Sequence, residues 1–124
     1  MAGEQIIELC NACRHGDDAK VREMISKGID VNAGNPRFYD EPPLHFATIG
    51  AHIAVMRLLL EAGADAHTVS RFDGRNAIHY AARAGSFEAV DIMLAKGVSP
   101  SIEDKAGVSP SVMAFGEGHT KLSK

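Results

Sequence analysis

The sequence predicts an all-α solenoid of stacked helix-turn-helix units with β-hairpin loops between them. The first observation is that the stretch PLHFATIGAHIAVMRLLLEAGAD recurs 34 residues later as AIHYAARAGSFEAVDIMLAKGVS. The second is that related frames lie 35 residues upstream, at CNACRHGDDAKVREMISKGID, and 33 residues downstream, at SPSVMAFGEGH. A spacing of 33 to 35 residues held over four frames is typical of an array in which each unit is one supersecondary motif.

The frames divide the chain into three full repeats and a partial fourth. Their expected bounds are about 4–36, 41–75 and 76–108, with the partial copy at 109–124. A lone unit of this size cannot bury its apolar face, and stacking on its neighbours buries it. We therefore expect a single domain covering residues 1–124.

Each full repeat has the signals for two helices and a turn. Pro43 suits the first helical position, where no amide hydrogen is needed, and Asn76 is a good N-cap. A helix rich in small residues follows, and then a second helix carries an apolar stripe such as Val55, Met56 and Leu59. The second helices are expected to end at glycines in the left-handed conformation, namely Gly28, Gly63 and Gly97.

These motifs resemble the ankyrin repeat family, whose pattern runs Thr-Pro-Leu-His, two alanines, Gly-His, a Val-Leu-Leu helix and then Gly-Ala-Asp. PPLHFA, NAIHYAARAG and SPSVMAFGEGH match its first half, and VMRLLLEAGAD and VDIMLAKGVS match its second half. The resemblance extends from about Ile6 to Lys124. It implies that His45 and His79 tie neighbouring repeats together by bonding to backbone and to the residue that starts their helix.

The second repeat departs from the family pattern at two positions. Pro42 stands where the family has threonine, so we expect His45 to lack the hydroxyl partner. Ala51 stands where the other copies have Gly16 and Gly85. Because a left-handed alanine costs about 1 kcal/mol, we expect Gly50 to take the turn and end its helix early. The loop before this repeat is also longer than the next one.

No residue pattern points to catalysis, to a metal or to a cofactor. Cys10 and Cys13 form a C-x-x-C pair, but no second pair supplies the further ligands that zinc needs. Both cysteines fall at small, helix-packing positions of the repeat. The sequence has no Ser/His/Asp arrangement and no phosphate-binding glycine loop. We therefore expect a protein that is not an enzyme and that has no cofactor.

Composition limits the partners and the compartment. The net charge is −3, so the basic footprint of a nucleic-acid binder is missing and nucleic acid is not the expected partner. No apolar run approaches ~20 residues, and the N-terminus lacks the pattern of a signal peptide, so no membrane association is expected. Two cysteines do not make a disulfide framework, which favours a reducing cytoplasmic or nuclear setting.

Function is therefore expected on a surface, and repeat solenoids bind partners on their concave side. In the repeat frame that side comprises the hairpin tips and the exposed face of the first helices. Aromatic and arginine side chains dominate protein interfaces, and arginine pairs well with carboxylates, so we expect a protein partner with acidic and apolar residues. The expected partner-binding residues are Arg14, Arg37, Phe38, Tyr39, Phe46, Ile49, Arg71, Phe72, Arg75, Tyr80 and Arg83. This predicts a non-catalytic interaction module that serves as an adaptor, scaffold or regulatory domain.

Several alternatives stay open at this stage. Phe46 and Tyr80 could pack beneath the neighbouring hairpin instead of meeting a partner. The chain could be a recognition domain cut from a larger multidomain protein, its arginines could bind an anionic ligand, or the cysteine pair could serve an enzyme. By resemblance, Asn32 occupies the hairpin slot that the family's asparaginyl hydroxylase modifies.

The fourth copy supplies a first helix and then stops at HTKLSK, without the leucines and glycine of the others. We expect a monomer whose C-terminal end, after about Ser109, opens before residues 43–97 in hydrogen exchange. Self-association through that end is the alternative.

Overall fold

The computed structural model describes residues 2–110, and within this range the chain forms six helices. They are α1 (Ala2–His15), α2 (Asp18–Ser26), α3 (Pro43–Ile49), α4 (Ile53–Glu61), α5 (Ala77–Arg83) and α6 (Phe87–Ala95). Most of the fourth repeat copy, with its expected opening or self-association, lies outside the described residues and stays a prediction. The bounds of the individual repeats also stay a prediction.

The helices form two layers. They pair as α1 with α2, α3 with α4, and α5 with α6, so each pair is one helix-turn-helix unit. The first helices pack in a row, with α3 between α1 and α5, while α2 packs on α4 in the second row. This stacked arrangement confirms the predicted all-α solenoid.

The core lies between the two layers and repeats from unit to unit. Leu9, Leu44 and Ile78 fill it from the first helices, and Leu59 and Met93 fill it from the second helices. Burying each of these side chains contributes about 1.5–3 kcal/mol. Fully buried alanines, Ala47 and Ala81, lie in the first helices α3 and α5. Since an alanine side chain is only a methyl group, neighbouring first helices can approach closely at these positions.

The second helices end at the predicted glycines. Gly28, Gly63 and Gly97 have φ angles of 85°, 98° and 81°, which are left-handed. A Cβ added to Gly28 or Gly63 would meet no atom within 4 Å. The backbone angle, rather than lack of space, therefore requires glycine at these two positions.

The end of α3 differs from the expectation. Gly50 has a right-handed φ of −88°, and Ala51 takes the left-handed turn with φ 53°, as Gly16 and Gly85 do in their own repeats. The prediction that Gly50 makes the turn was wrong, because Ala51 keeps the turn position that Gly16 and Gly85 hold in their repeats. The imidazole of His52 packs so closely against Gly50 that a Cβ there would collide with the ring, which accounts for the glycine at position 50.

His52 also explains why this turn stays in place. Its Nε2 donates to the carbonyl oxygen of Arg14 at 2.9 Å, which joins the second repeat to the end of α1. The amide of Ala51 donates to the carbonyl of Thr48 at 3.0 Å, and that of His52 donates to Ala47 at 2.9 Å. These bonds hold Ala51 in a conformation that costs an alanine about 1–2 kcal/mol.

Three loops, here called tips, close on themselves at one edge of the helix layers. Their closing hydrogen bonds join an amide to a carbonyl oxygen: Asn35 to Glu41 at 2.9 Å, Ser70 to Arg75 at 2.8 Å, and Asp104 to Val108 at 2.8 Å. Tip 1 is residues 35–41, tip 2 is 70–75 and tip 3 is 104–108. They turn as hairpins do, but no strand forms within residues 2–110, where Asn35 and Glu41 make an isolated β-bridge. Tip 1 is longer than tip 2, as expected.

Candidate partner-binding surface

Tips 1 and 2 expose three aromatic side chains. The exposed fractions are 57% for Phe38, 62% for Tyr39 and 58% for Phe72. The rings of Tyr39 and Phe72 lie 4.8 Å apart between centroids, so the two tips meet through them. We call the exposed patch that they form with their neighbours the tip surface, and it comprises Arg37, Phe38, Tyr39, Asp40, Arg71 and Phe72.

Tip 1 has an unusual backbone. Tyr39 and Asp40 are consecutive left-handed residues, with φ angles of 53° and 57°, and neither is glycine. The buried Asn35 organises this turn, because its carbonyl accepts the amides of Phe38 and Asp40, both at 3.0 Å. Its side-chain oxygen accepts the amide of Arg37 at 2.9 Å. Sequence reasoning missed Asn35, although an Asn-Pro pair is a known turn signal.

Tip 2 is held by its own polar side chains. The hydroxyl of Ser70 accepts the amide of Phe72 at 3.2 Å, and the carboxylate of Asp73 accepts the amide of Arg75 at 3.0 Å. Gly74 is left-handed with φ 74°, and its amide donates to the carbonyl of Ser70 at 2.9 Å. These local bonds fix the position from which the Phe72 ring projects.

Charged side chains cross between the tips at the surface. Arg71 Nη1 lies 2.7 Å from the carboxylate of Asp40, and both side chains are exposed. Such exposed pairs contribute about 0–1 kcal/mol. Lys105 of tip 3 donates to the carbonyl of Arg71 at 2.6 Å. Arg37 is exposed beside the Phe38 ring position.

Arg75 differs from the other expected partner-binding arginines. Its side chain is only 23% exposed, and its Nε lies 3.6 Å from Asp73 and 3.5 Å from Asp104. Asp104 also accepts the amides of Val108 and Ala106, both at 2.9 Å. The bond from Val108, followed by those from Ala106 and Arg75, holds the pKa of Asp104 below its usual range although burial opposes this. We therefore reassign Arg75 to joining tips 2 and 3.

Phe46 and Tyr80 also need correction, because both are buried. Phe46 lies under Phe38, whose ring meets it edge-on at 6.0 Å. The hydroxyl of Tyr80 lies 3.2 Å from Asp73 and 3.5 Å from Glu41, and burial is the main cause that raises the pKa of Tyr80. The packing alternative therefore describes these two rings, which support the tips from below.

His45 makes a bond that the sequence did not predict. Its Nε2 donates at 3.1 Å to a backbone carbonyl, as the resemblance implies, and that carbonyl belongs to Thr68 on the loop that leads from α4 to the third repeat. Pro42 supplies no hydroxyl partner, as expected, and the Nδ1 of His45 contacts the carboxylate of Glu41 instead. The reason is that Glu41, one residue before Pro42, is buried and turns its carboxylate inward.

The chemistry of this pair limits its protonation. A carbonyl only accepts, so the Nε2 of His45 carries a hydrogen when it donates to Thr68. The contact between Nδ1 and Glu41 then requires one further proton between the two atoms. The pair therefore carries no net charge, whichever of the two atoms holds that proton.

His79 makes both bonds that the resemblance implies. Its Nε2 donates to the carbonyl of Val108 at 2.8 Å. The side chain of Asn76 accepts the amide of His79 at 3.0 Å, while the amide of Asn76 donates to His79 Nδ1 at 3.1 Å. This reciprocal capping box starts α5. The bond to Val108 links α5 to tip 3.

The remaining expected residues lie on the first helices. Ile49 and Arg83 are exposed, and together with Tyr80 and Ala84 they line a shallow groove. Arg14 is exposed near the end of α1. The structure therefore places Ile49 and Arg83 in the same groove.

The two cysteines are core residues. Cys10 and Cys13 are free thiols that are buried among apolar side chains of the first helices. Burial, with a smaller contribution from Glu41, raises the pKa of Cys10 to about 12, and burial also raises the pKa of Cys13. Both remain protonated and unreactive at neutral pH. Across residues 2–110 no group of three His, Cys, Asp or Glu side chains is arranged to hold a metal ion.

Asn32 links the first two repeats. Its side-chain amide donates to the carbonyl of Gly63 at 3.0 Å, and its oxygen accepts the amide of Asp65 at 2.8 Å. The residue itself is exposed. Hydroxylation of Asn32 stays one of the alternatives that the resemblance raises.

None of the helices in residues 2–110 has the length and apolar character needed to cross a membrane.

Comparison with known proteins identifies the family. Residues 9–121 match the profile of ankyrin repeats, in three copies. The chain therefore belongs to the ankyrin repeat family. Ankyrin repeats generally mediate protein–protein interaction, and the repeat module is not catalytic itself.

The relatives are much longer proteins. The chain is 33% identical over 102 residues to a palmitoyltransferase of Drosophila melanogaster, which covers 82% of the chain and 16% of that protein. It is 35% identical over 98 residues to an ankyrin repeat-containing protein of Saccharomyces cerevisiae, covering 79% of the chain and 18% of the relative. With the human SH3 and multiple ankyrin repeat domains protein 2 it shares 31% identity over 91 residues, which is 73% of the chain and 5% of the relative.

Proposed function

We propose that this ankyrin domain binds a protein segment with acidic and apolar residues through the tip surface and the groove beside Ile49. The observation that carries the proposal is the exposed trio Phe38, Tyr39 and Phe72, flanked by Arg37 and Arg71. A contiguous patch of exposed aromatic rings commonly marks an interaction site, and aromatic residues with arginine are frequent anchors of protein interfaces. The rings supply the contact with apolar residues.

The charges support an acidic partner. From sequence alone, Glu41 and Asp73 offset the arginines of this region. In the fold, Glu41 is buried against His45 and Asp73 lies beside Arg75, so neither carboxylate is a free surface charge. Within the tips, Asp40 is the exposed acid, whereas Arg37, Arg71 and Lys105 are exposed bases. The first helices expose Arg14 and Arg83, and α1 also exposes Glu4 and Glu8. A segment rich in Asp or Glu complements this distribution.

The relatives support a role as one domain of a larger protein. The chain matches only a small part of a palmitoyltransferase and of a multidomain ankyrin protein. We propose that the domain selects a partner for whatever activity such a protein carries, in a reducing intracellular compartment. The free thiols of Cys10 and Cys13 support that compartment.

A display library of random peptides tests the proposal. Peptides are selected on the full chain alone, and their binding to the double variant Phe38→Ala/Phe72→Ala is measured afterwards. We expect the surviving peptides to combine acidic residues with Phe, Leu or Trp, and to bind the double variant at least ~10-fold more weakly.

The matched control is Phe87→Ala, since Phe87 is 52% exposed on α6 and lies outside the tips. Peptides that bind all three proteins equally would contradict the proposal. Polyanions such as heparin test the anionic-ligand alternative. If heparin binding has a steep salt dependence and selected peptides show no apolar preference, that alternative replaces the acidic–apolar segment.

A further inference from the structure

Glu41 is a buried residue that connects four parts of the molecule. Its backbone closes tip 1, because its carbonyl accepts from Asn35 at 2.9 Å and its amide donates to Phe38 at 2.8 Å. Its carboxylate contacts His45 on α3 and accepts from Ser70 of tip 2 at 2.8 Å. The hydroxyl of Tyr80 on α5 lies 3.5 Å from the same carboxylate.

One of these bonds leads directly to the tip surface. The Ser70 hydroxyl donates its single hydrogen to Glu41, so its lone pair is free to accept the amide of Phe72, which lies 3.2 Å away. Glu41, Ser70 and Phe72 thus form a relay of two hydrogen bonds from the end of tip 1 to the aromatic residue of tip 2. Tyr39, whose ring meets Phe72, is two residues before Glu41 in the chain.

Tip 1 needs such support from outside. Tyr39 and Asp40 have left-handed backbones that favour glycine, so the loop does not keep this shape by local preference. The outer contacts between the tips, from Arg71 to Asp40 and from Tyr39 to Phe72, are exposed to water and salt. Exposed ion pairs of this kind are weak, whereas the bonds of Glu41 are buried.

We propose that Glu41 is a positioning residue for partner binding. Its carboxylate holds the rings of Tyr39 and Phe72 in register, and it does so from beneath the tip surface without touching the partner. The arrangement of the rings follows from the geometry of the free chain, and only the effect on affinity rests on the proposed function.

Three variants separate positioning from general stabilisation. Glu41→Ala removes the carboxylate. Ser70→Ala breaks the relay but leaves the contact between Glu41 and His45, so it tests the proposal even if Glu41→Ala fails to fold. Glu41→Gln conserves the relay, since its amide oxygen can accept from Ser70 and its NH₂ can donate to His45 Nδ1. The control is His79→Ala, which removes an equivalent inter-repeat bond away from Glu41.

The measurement is nuclear magnetic resonance of the full 124-residue chain without a partner. The chain has two tyrosines, so fluorine-labelled tyrosine gives one signal for Tyr39 at the tip surface and a separate signal for Tyr80, which contacts Glu41 from the buried side. We expect Ser70→Ala and Glu41→Ala to lose the contact between the Tyr39 and Phe72 rings and to shift the Tyr39 signal. We expect Glu41→Gln and His79→Ala to retain both. If Ser70→Ala retains the ring contact and the Tyr39 signal, the proposal is overturned.

Affinity for a peptide selected as described above then tests the functional consequence separately. We expect Ser70→Ala to bind that peptide roughly tenfold more weakly and Glu41→Gln to bind it as the wild type does. If the rings lose their register but affinity is unchanged, Glu41 still positions the tips and the tip surface is not the binding site. If Ser70→Ala keeps the contact between the Tyr39 and Phe72 rings, the proposal that Glu41 positions the tips is wrong, whatever the affinity.

Discussion

His45 and His79 occupy the same place in successive repeats, and each donates to a backbone carbonyl in the loop that follows its own helix pair. Their second partners differ in kind. His79 pairs with the neutral amide of Asn76, which closes the bond within the start of α5. His45 pairs with the carboxylate of Glu41, whose other bonds extend to Ser70 and Tyr80.

The difference teaches that one repeat position serves two purposes. At the second junction, which lies between tips 2 and 3, a neutral cap starts α5. A separate ionic contact from Arg75 to Asp104 joins the two tips. At the first junction, which lies between tips 1 and 2, the single buried carboxylate of Glu41 both contacts His45 on α3 and joins the two tips through Ser70. Between tips 1 and 2 the outer side therefore carries exposed aromatic rings and the exposed Arg71–Asp40 pair, whereas the Arg75–Asp104 pair between tips 2 and 3 is largely buried.

The largest expected effect is that of Glu41→Ala at the first junction. Removing the carboxylate leaves His45, Ser70 and Tyr80 without a shared partner in a buried place. We expect the free energy of unfolding to fall by about 2–4 kcal/mol. Urea melts at neutral pH measure this. A loss no larger than that of His79→Ala would remove the distinction between the two junctions.

His79→Ala is the corresponding change at the second junction. It breaks the bond to Val108 and one half of the capping box with Asn76. We expect a loss of about 1–3 kcal/mol, because buried backbone partners are left without a bond. Urea melts of wild type and variant with the same midpoint and slope would show that His79 does not tie the repeats together.

Asp104→Asn tests whether the second junction is ionic. The pKa of Asp104 is lowered in the fold, so its carboxylate stabilises the protein above the ordinary value of about 3.9 and this contribution is lost as the pH falls. We expect the variant to lose about 1–2 kcal/mol at pH 7. Its stability should also depend less on pH between about 5 and 2 than that of the wild type. Parallel pH profiles of the two proteins, from urea melts, would contradict an ionic junction.

The double variant Phe38→Ala/Phe72→Ala tests whether the exposed rings at the first junction contribute to the stability of the fold. Both rings are more than half exposed, so we expect less than about 1 kcal/mol loss of stability while peptide binding is lost. Thermal unfolding is the check. A melting temperature several degrees lower would mean that the rings belong to the core.

Arg71→Ala is expected to have the smallest effect. Its contact with Asp40 is exposed, so its removal should cost about 0–1 kcal/mol, and less as salt is added. Stability measured in low and high salt tests this. A loss larger than about 2 kcal/mol that persists at high salt would show that the outer contacts, rather than Glu41, hold the tips together.

Much of the fold could be predicted because its determinants are local and repeated. The 34-residue recurrence placed the helices of the second and third repeats in one frame, and Gly28, Gly63 and Gly97 mark the ends of second helices as predicted. His79 followed from the same frame, since its helix-start partner Asn76 is three residues away.

The exceptions depend on contacts between distant parts of the chain. Ala51 is left-handed at the position that Gly16 and Gly85 hold in their repeats, and His52 beside it bonds to the carbonyl of Arg14 in the first repeat. Glu41 is charged and precedes a proline, so its sequence context favours an exposed turn, and its burial depends on Ser70 and Tyr80 in later repeats. For the same reason the burial of Phe46 beneath Phe38 could be proposed from the sequence but not decided.

The three tips close with the same kind of hydrogen bond but enclose different numbers of residues. Five residues, 36–40, lie within tip 1, four residues, 71–74, lie within tip 2, and three residues, 105–107, lie within tip 3. Loop closure depends only logarithmically on length, so one added residue changes stability by a few tenths of a kcal/mol. Insertions and deletions between the closing residues of a tip therefore cost little in loop closure as long as the bonds of the closing residues are kept. Such changes give a lineage of these proteins a route to new recognition specificity while the helical layers are inherited unaltered.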